Sequence, residues 1–223
     1  MLSRRALAAA LPLSALLVAI PALTGPARAQ RSWAPASSAT IRPGVMTDTK
    51  GGTCTANFVF TDAAGAVYLG QAAHCSGTGA ATETNGCSAE SYPLGTPVDV
   101  MGASRPGTLA YNSWLAMQAA GETNENACNF NDFALVRLDP ADESKVNPTV
   151  PIWGGPSRLG TGTRPGSQVY SYGNSPLRLG ISQLSPKTGV SLGDEAGGWT
   201  RSVYTVTPGI PGDSGSGFLN SSG

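Results

Sequence analysis

Histidine is almost missing from this 223-residue chain, occurring once, as His74. Any chemistry that needs an imidazole therefore has a single group to draw on. Charge is also scarce: Asp, Glu, Lys and Arg make up 13% of residues, against roughly 25% in an average globular domain. The formal net charge is zero, and no block of one sign stands out. That excludes the electrostatic footprint of a nucleic-acid binder and attachment to an anionic membrane by charge. There is no Cys-x-x-Cys pair and no carboxylate run with a calcium-loop pattern, so no metal and no other cofactor is expected. Beyond the N-terminus no long 3.6-residue apolar period occurs, which argues against a helical fold. In place of these features the chain has 29 Gly and 17 Pro, the usage of a turn-rich β protein.

The N-terminus reads as a signal peptide over residues 1–29. Arg4 and Arg5 form a basic start, Ala6 to Leu23 an apolar stretch, and Ala27-Arg28-Ala29 a small-residue cleavage site. Pro12 and Pro21 interrupt the apolar stretch, which disfavours a membrane anchor. Export predicts a secreted protein with no membrane attachment after signal removal. In an oxidising compartment Cys54, Cys75, Cys87 and Cys128 are expected to form two disulfides, and four cysteines permit three pairings. Residues 30–39, rich in Ser, Ala and Pro, read as a flexible leader or short propeptide with no core of its own. The remaining residues, 40–223, read as one domain, expected to be monomeric.

Short runs with alternating or β-branched character follow: Ala56 to Phe60, Val67 to Leu69, Val98 to Val100, Phe133 to Leu138, Gln168 to Tyr172 and Thr200 to Thr207. Each is bounded by turn-forming residues, so closed or sandwiched antiparallel sheets are expected. Trp114 to Ala120 fits either a helical turn or a strand.

Acyl transfer through a serine requires a nucleophile, a base to take its proton, and a group that orients the base. His74 is the only imidazole available, and it follows a strand-like run ending Gln71-Ala72-Ala73. The run Gly212-Asp213-Ser214-Gly215 places a serine between glycines, which allow unusual backbone angles and close approach of a substrate carbonyl. A turn of this composition can aim the amides of Gly212 and Ser214 at one point, as an oxyanion hole requires. An ordinary Gly/Ser surface turn is the plainer reading of that segment alone.

Three segments, Ala72-Ala73-His74-Cys75, Asn131-Asp132-Phe133-Ala134-Leu135-Val136 and Gly212-Asp213-Ser214-Gly215, resemble the signature segments of the chymotrypsin-like (trypsin-like) serine peptidases, in that family's order of His, Asp, Ser. The resemblance implies an all-β fold of two six-stranded antiparallel β-barrels. It implies Ser214 as nucleophile, His74 as general base and then acid, and Asp132 as the carboxylate that orients His74; Asp99 and Asp139 lack the matching surroundings. It implies a secreted endopeptidase that acts on polypeptides through an acyl-enzyme, without cofactor or metal.

The same resemblance implies that Asp213 pairs with a buried cation, for which Arg201, Arg178 and Arg164 are available. Ile41 lies too close to Cys54 for the family's usual activated N-terminus. It implies a Cys54–Cys75 disulfide, which leaves Cys87 and Cys128 for one another. The substrate pocket is expected near Pro208, Gly209 and Ile210; without an acid there, a preference for Lys or Arg is disfavoured, and because glutamate-specific relatives usually recruit a second histidine, which this chain lacks, small or medium apolar side chains are expected. Members of the family continue for tens of residues past the serine, whereas this chain stops at Gly223. The second barrel is therefore expected to be incomplete and the chain to be a fragment. The rival expectations are a catalytically inactive binding module, a non-functional fragment and an unrelated structural β domain.

Overall fold

The computed structural model describes residues 31–80 and 83–223; the expected signal peptide, residues 1–29, lies outside them. Within the unit Trp33–Gly223, eleven strands and two short α-helices follow one another. The strands are β1 (Met46–Thr49), β2 (Gly52–Thr55), β3 (Val59–Thr61), β4 (Val67–Gln71), β5 (Pro97–Val100), β6 (Gly107–Asn112), β7 (Ala134–Arg137), β8 (Gln168–Tyr172), β9 (Pro186–Glu195), β10 (Thr200–Thr205) and β11 (Phe218–Asn220). The helices α1 (Ser113–Ala120) and α2 (Glu125–Phe130) both lie between β6 and β7.

The first seven strands form an antiparallel sheet in the order β2-β1-β5-β6-β7-β4-β3. Its two ends, β2 and β3, are halves of one extended run broken only at Ala56–Phe58. Across that break Ala56 N donates to Val45 O at 2.9 Å and Asn57 N to Gly70 O at 2.8 Å. Through this continuous run the sheet closes on itself as a barrel of six strands. Alternation along the strands fills it: Val67 and Leu69 of β4, Leu109 of β6 and Ala134 and Val136 of β7 are fully buried, with Ile41 and Val98 beside them.

Ile41 belongs to this core, bridged to Val146. The segment before it is anchored as well, contrary to the expectation of a leader without core contacts over 30–39. Trp33 packs against the barrel core, Ala34 N donates to Val146 O at 2.9 Å, and Asn147 Nδ2 donates to Ala34 O at 2.6 Å. The Ser/Ala/Pro composition gave no sign that one aromatic side chain would find a place on the barrel.

The ambiguous segment at Trp114 to Ala120 is helical. Asn112 caps α1 by accepting from Trp114 N at 2.8 Å, and Gly121 ends it in the left-handed region at φ 65°. Trp114 and Met117 are buried against Ala73, Ala89 and Ala127, so α1 forms a wall behind the His74 turn.

The remaining strands form a second antiparallel sheet in the order β10-β9-β8-β11. Among the described residues it stays open, with β10 and β11 as edges, which agrees with the incomplete second barrel expected. Tyr204, Val206 and Phe218 are exposed on or near those edges.

Candidate active site

His74 sits in a single 3-10 turn, Ala73–Ser76, that follows β4. Two features fix this turn. Cys75 is joined to Cys54 of β2, with the Cα atoms 6.0 Å apart. Ala73 is fully buried and its carbonyl accepts from Asn112 Nδ2 at 3.3 Å. Asn112 thus caps α1 with its oxygen and holds the histidine turn with its nitrogen. The sulfurs of Cys54 and Cys75 and a ring nitrogen of His74 lie within 4.8 Å of one another. With the sulfurs joined in a disulfide, neither is a thiolate ligand.

Asp132 reaches this turn from the loop between α2 and β7. Its Oδ2 lies 2.6 Å from His74 Nδ1, and its Oδ1 accepts the backbone N–H of His74 at 2.9 Å. Burial pushes the Asp132 carboxyl up, but the hydrogen bond and charge of the His74 ring and the amides of His74 and Ala73 outweigh it, holding the group below the usual carboxylate range. The loop is braced on both sides of Asp132 by Ser113, whose Oγ donates to Asn131 O at 2.6 Å and accepts from Phe133 N at 3.0 Å. The Cys87–Cys128 disulfide ties α2 to the segment containing Gly86, whose N–H donates to Cys128 O at 2.8 Å. Both disulfides therefore brace the His74–Asp132 pair from either side.

The Gly212–Gly215 turn comes from between β10 and β11 and docks on the first barrel. Thr55 of β2 donates from N to Ser214 O at 2.8 Å and from Oγ1 to Gly212 O at 2.8 Å. Gly215 adopts φ 85°, and a Cβ there would lie 2.7 Å from Thr55 O and 2.8 Å from Ala72 N. The backbone of the serine turn thus lies directly on the strand end that leads to His74. Asp213 N donates to Ile210 O at 2.9 Å. Among the described residues the amides of Gly212 and Ser214, on either side of it, donate to no acceptor. Ser214 Oγ likewise makes no hydrogen bond among the described residues, so it is not bonded to the His74 ring.

Asp213 points away from this surface into a buried ion cluster. Arg178 donates to it through both Nε and NH2, and Lys187 Nζ donates to its Oδ2 at 2.7 Å. Burial raises the Asp213 carboxyl, yet the hydrogen bonds from Arg178 and Lys187 prevail and hold it below the usual range. Of the three arginines considered from sequence, Arg178 is the partner. Arg201 instead pairs with Asp194 at 2.7 Å. Lys187 escaped sequence reading because it stands at the start of the long strand β9, where nothing local marks it as buried. Asn112, Ser113 and Thr55 were also missed; each acts through contacts more than ten residues away in sequence, apart from the α1 cap.

Beside Ser214 lies a cavity of about 430 Å³, lined by Gly209, Ile210, Pro211, Phe218 and Lys187 among others. Gly209 and Ile210, two of the residues expected near a substrate pocket, line this cavity. Pro208 does not line it: its carbonyl turns inward and accepts from Arg178 NH2 at 3.3 Å and from Lys187 Nζ at 2.9 Å.

Sequence comparison finds no matching family model and no matching curated protein. Comparison of structures finds protease A of Thermobifida fusca at 19% identity and a TM-score of 0.48, covering 82% of this chain and 78% of that one. A Nocardiopsis protease is similar at 20% identity and a TM-score of 0.45, covering 82% of this chain and 79% of the other. A glutamic-acid-specific serine protease that uses a histidine triad in substrate binding is similar at 18% identity and a TM-score of 0.49, covering 82% and 81%.

Proposed function

We propose that the chain is a secreted serine endopeptidase of the chymotrypsin-like type, with Ser214, His74 and Asp132 as its catalytic set. The observation that carries this reading is the double hold of Asp132 on His74, through the ring Nδ1 and the backbone N–H. A carboxylate on Nδ1 fixes the tautomer in which Nε2 carries the lone pair, and it stabilises the imidazolium that forms when Nε2 accepts a proton.

The chemistry follows from those roles. Ser214 Oγ adds to the scissile carbonyl carbon as its proton passes to His74 Nε2, and the carbonyl π electrons move to oxygen. The amides of Gly212 and Ser214, which have no acceptor among the described residues, are the donors for that oxyanion. Collapse of the tetrahedral species breaks the C–N bond, with the amine leaving on the proton held by His74. Water then adds to the acyl-enzyme by the same route in reverse roles, releasing the acid and restoring Ser214. The Ser214–His74 hydrogen bond is not formed in this state; catalytic contacts of this kind often tighten only when substrate binds.

The buried cations on Asp213 belong to this proposal as supports of the oxyanion turn. Arg178 and Lys187 are both side chains of the same chain, so no freshly released N-terminus is needed to supply the charge. Two disulfides suit an oxidising compartment, and among the described residues no helix is long and apolar enough to cross a membrane. The substrate is a polypeptide, and the working form proposed is a monomer without cofactor, nucleic-acid partner or membrane anchor.

The alternative, a catalytically inactive binding module, draws on the unbonded Ser214 Oγ. An organofluorophosphonate separates the two: labelling at Ser214 that disappears in His74→Ala supports the peptidase, and a folded protein that takes no label at Ser214 refutes it.

A further inference from the structure

We infer that the cavity beside Ser214 selects an acidic substrate side chain, with the Lys187 ammonium as the group that receives its carboxylate. The inference rests on the peptidase reading above and names the substrate class that this site would take.

Lys187 is only 2% exposed, yet it lines the cavity together with Ser214. An ammonium carries three protons. Two are engaged, by Asp213 Oδ2 at 2.7 Å and Pro208 O at 2.9 Å, and among the described residues the third has no acceptor. Asp213 also serves Arg178, itself 6% exposed. The buried cluster therefore holds two cations against one carboxylate, an excess of one positive charge in a setting where an uncompensated charge is costly.

Among the described residues Asp213 is the only acidic one lining the cavity, while Val203, Ile210 and Phe218 are apolar. The Ser216 hydroxyl is already committed to Asp213 O. A basic side chain entering here meets charge of its own sign. An apolar one leaves the third proton of Lys187 without an acceptor, whereas a carboxylate satisfies it and neutralises the cluster. This differs from the expectation of an apolar preference, which rested on the residues just before Ser214 and on the lack of a second histidine to receive an acidic side chain; Lys187, on β9, belongs to neither.

The test uses the full chain and peptide anilides that differ only at the residue on the acyl side of the scissile bond: Glu, Gln, Leu or Lys. Glu is expected to exceed its isostere Gln in kcat/KM by about tenfold or more, with Lys the poorest. In Lys187→Met the Glu-to-Gln ratio should collapse towards one whatever the absolute rates, and in Lys187→Arg it should remain above one. If Lys187→Met does not fold, the wild-type ratio decides alone. Gln or Leu cleaved as well as Glu, by protein that takes the fluorophosphonate at Ser214, overturns the specificity and leaves the peptidase standing. Absence of labelling at Ser214 overturns the peptidase reading and this inference with it.

Discussion

Asp132 holds His74 at two points, with Oδ2 at 2.6 Å from the ring Nδ1 and Oδ1 at 2.9 Å from the backbone N–H. The second contact fixes where the histidine turn lies, so it should survive an amide in place of the carboxylate, while the first should not. Asp132→Asn is expected to fold normally and to lose activity by a factor on the order of 10⁴, because the amide can favour the wrong imidazole tautomer. Thermal melting and kcat/KM on one peptide substrate check both halves. A variant that melts like wild type and keeps more than a tenth of its activity would refute the assigned role.

The buried cluster at Asp213 predicts an asymmetry among its own variants. Asp213→Asn leaves Arg178 and Lys187 buried without a counter-charge and is expected to cost about 3–5 kcal/mol, the range for breaking a buried pair from one side. Lys187→Met leaves a one-to-one Arg178–Asp213 pair and should cost markedly less. Urea unfolding of both variants measures the difference, and equal losses would show that Lys187 matters as much as the carboxylate it excess-charges.

Acid should unfold the protein through its carboxylates. Asp132 and Asp213 are both held below the ordinary carboxylate value. So is Asp142, whose burial raises it but which accepts from Lys145, from Ser104 through N and Oγ, and from Arg105 N. A depressed folded-state value means that the stabilisation is complete above the unfolded-state value of about 4 and is lost as pH falls below it. Urea midpoints should therefore stay level between pH 7 and 5 and decline below about pH 4. Asp142→Asn should lower the plateau and flatten the decline; a decline as steep as in wild type would remove Asp142 from the account.

The serine turn predicts which glycines resist substitution. Gly215 combines φ 85° with backbone atoms under 3 Å from a would-be Cβ, namely Thr55 O and Ala72 N. Those atoms belong to the barrel and cannot rotate aside. Gly215→Ala should cost at least about 2 kcal/mol and sharply slow labelling of Ser214. Gly160→Ala, with nothing within 4 Å and no left-handed angle, should leave both unchanged and serves as the control.

The sequence made some of this legible and hid the rest for physical reasons. Strands that bury one face on alternating residues, such as Val67–Gln71 and Ala134–Arg137, announce themselves by period. Gly52–Thr55 and Gly107–Asn112 do not, because small and polar residues occupy positions whose pairing is decided by neighbouring strands. Thr55 is the clearest case: a fully buried threonine whose value lies in gripping the carbonyls of Gly212 and Ser214, far along the chain. His74 and Ser214 could be read because their local segments are distinctive. Lys187 could not, since its burial exists only once β9 lies beneath the Asp213 turn.

The Cys87–Cys128 disulfide closes a sequence separation of 41 residues, which for an unfolded chain corresponds to about 4 kcal/mol of entropic stabilisation in the loop-closure model. Its position gives a second, separable effect. Cys128 lies on α2, whose C-terminal end leads through Asn131 into Asp132; without the bridge that loop keeps the Ser113 contacts and the Gly86 N–H bond to Cys128 O but no covalent tie. A Cys87→Ser, Cys128→Ser double variant should therefore lose stability and, at temperatures where it remains folded, also lose kcat as the Asp132–His74 geometry loosens. The comparison is the Cys54→Ser, Cys75→Ser variant, whose bridge adjoins His74 itself and should lower kcat more. If the Cys87–Cys128 variant lost stability but kept full kcat while folded, the bridge would be a clamp on the unfolded chain and no part of how Asp132 is positioned.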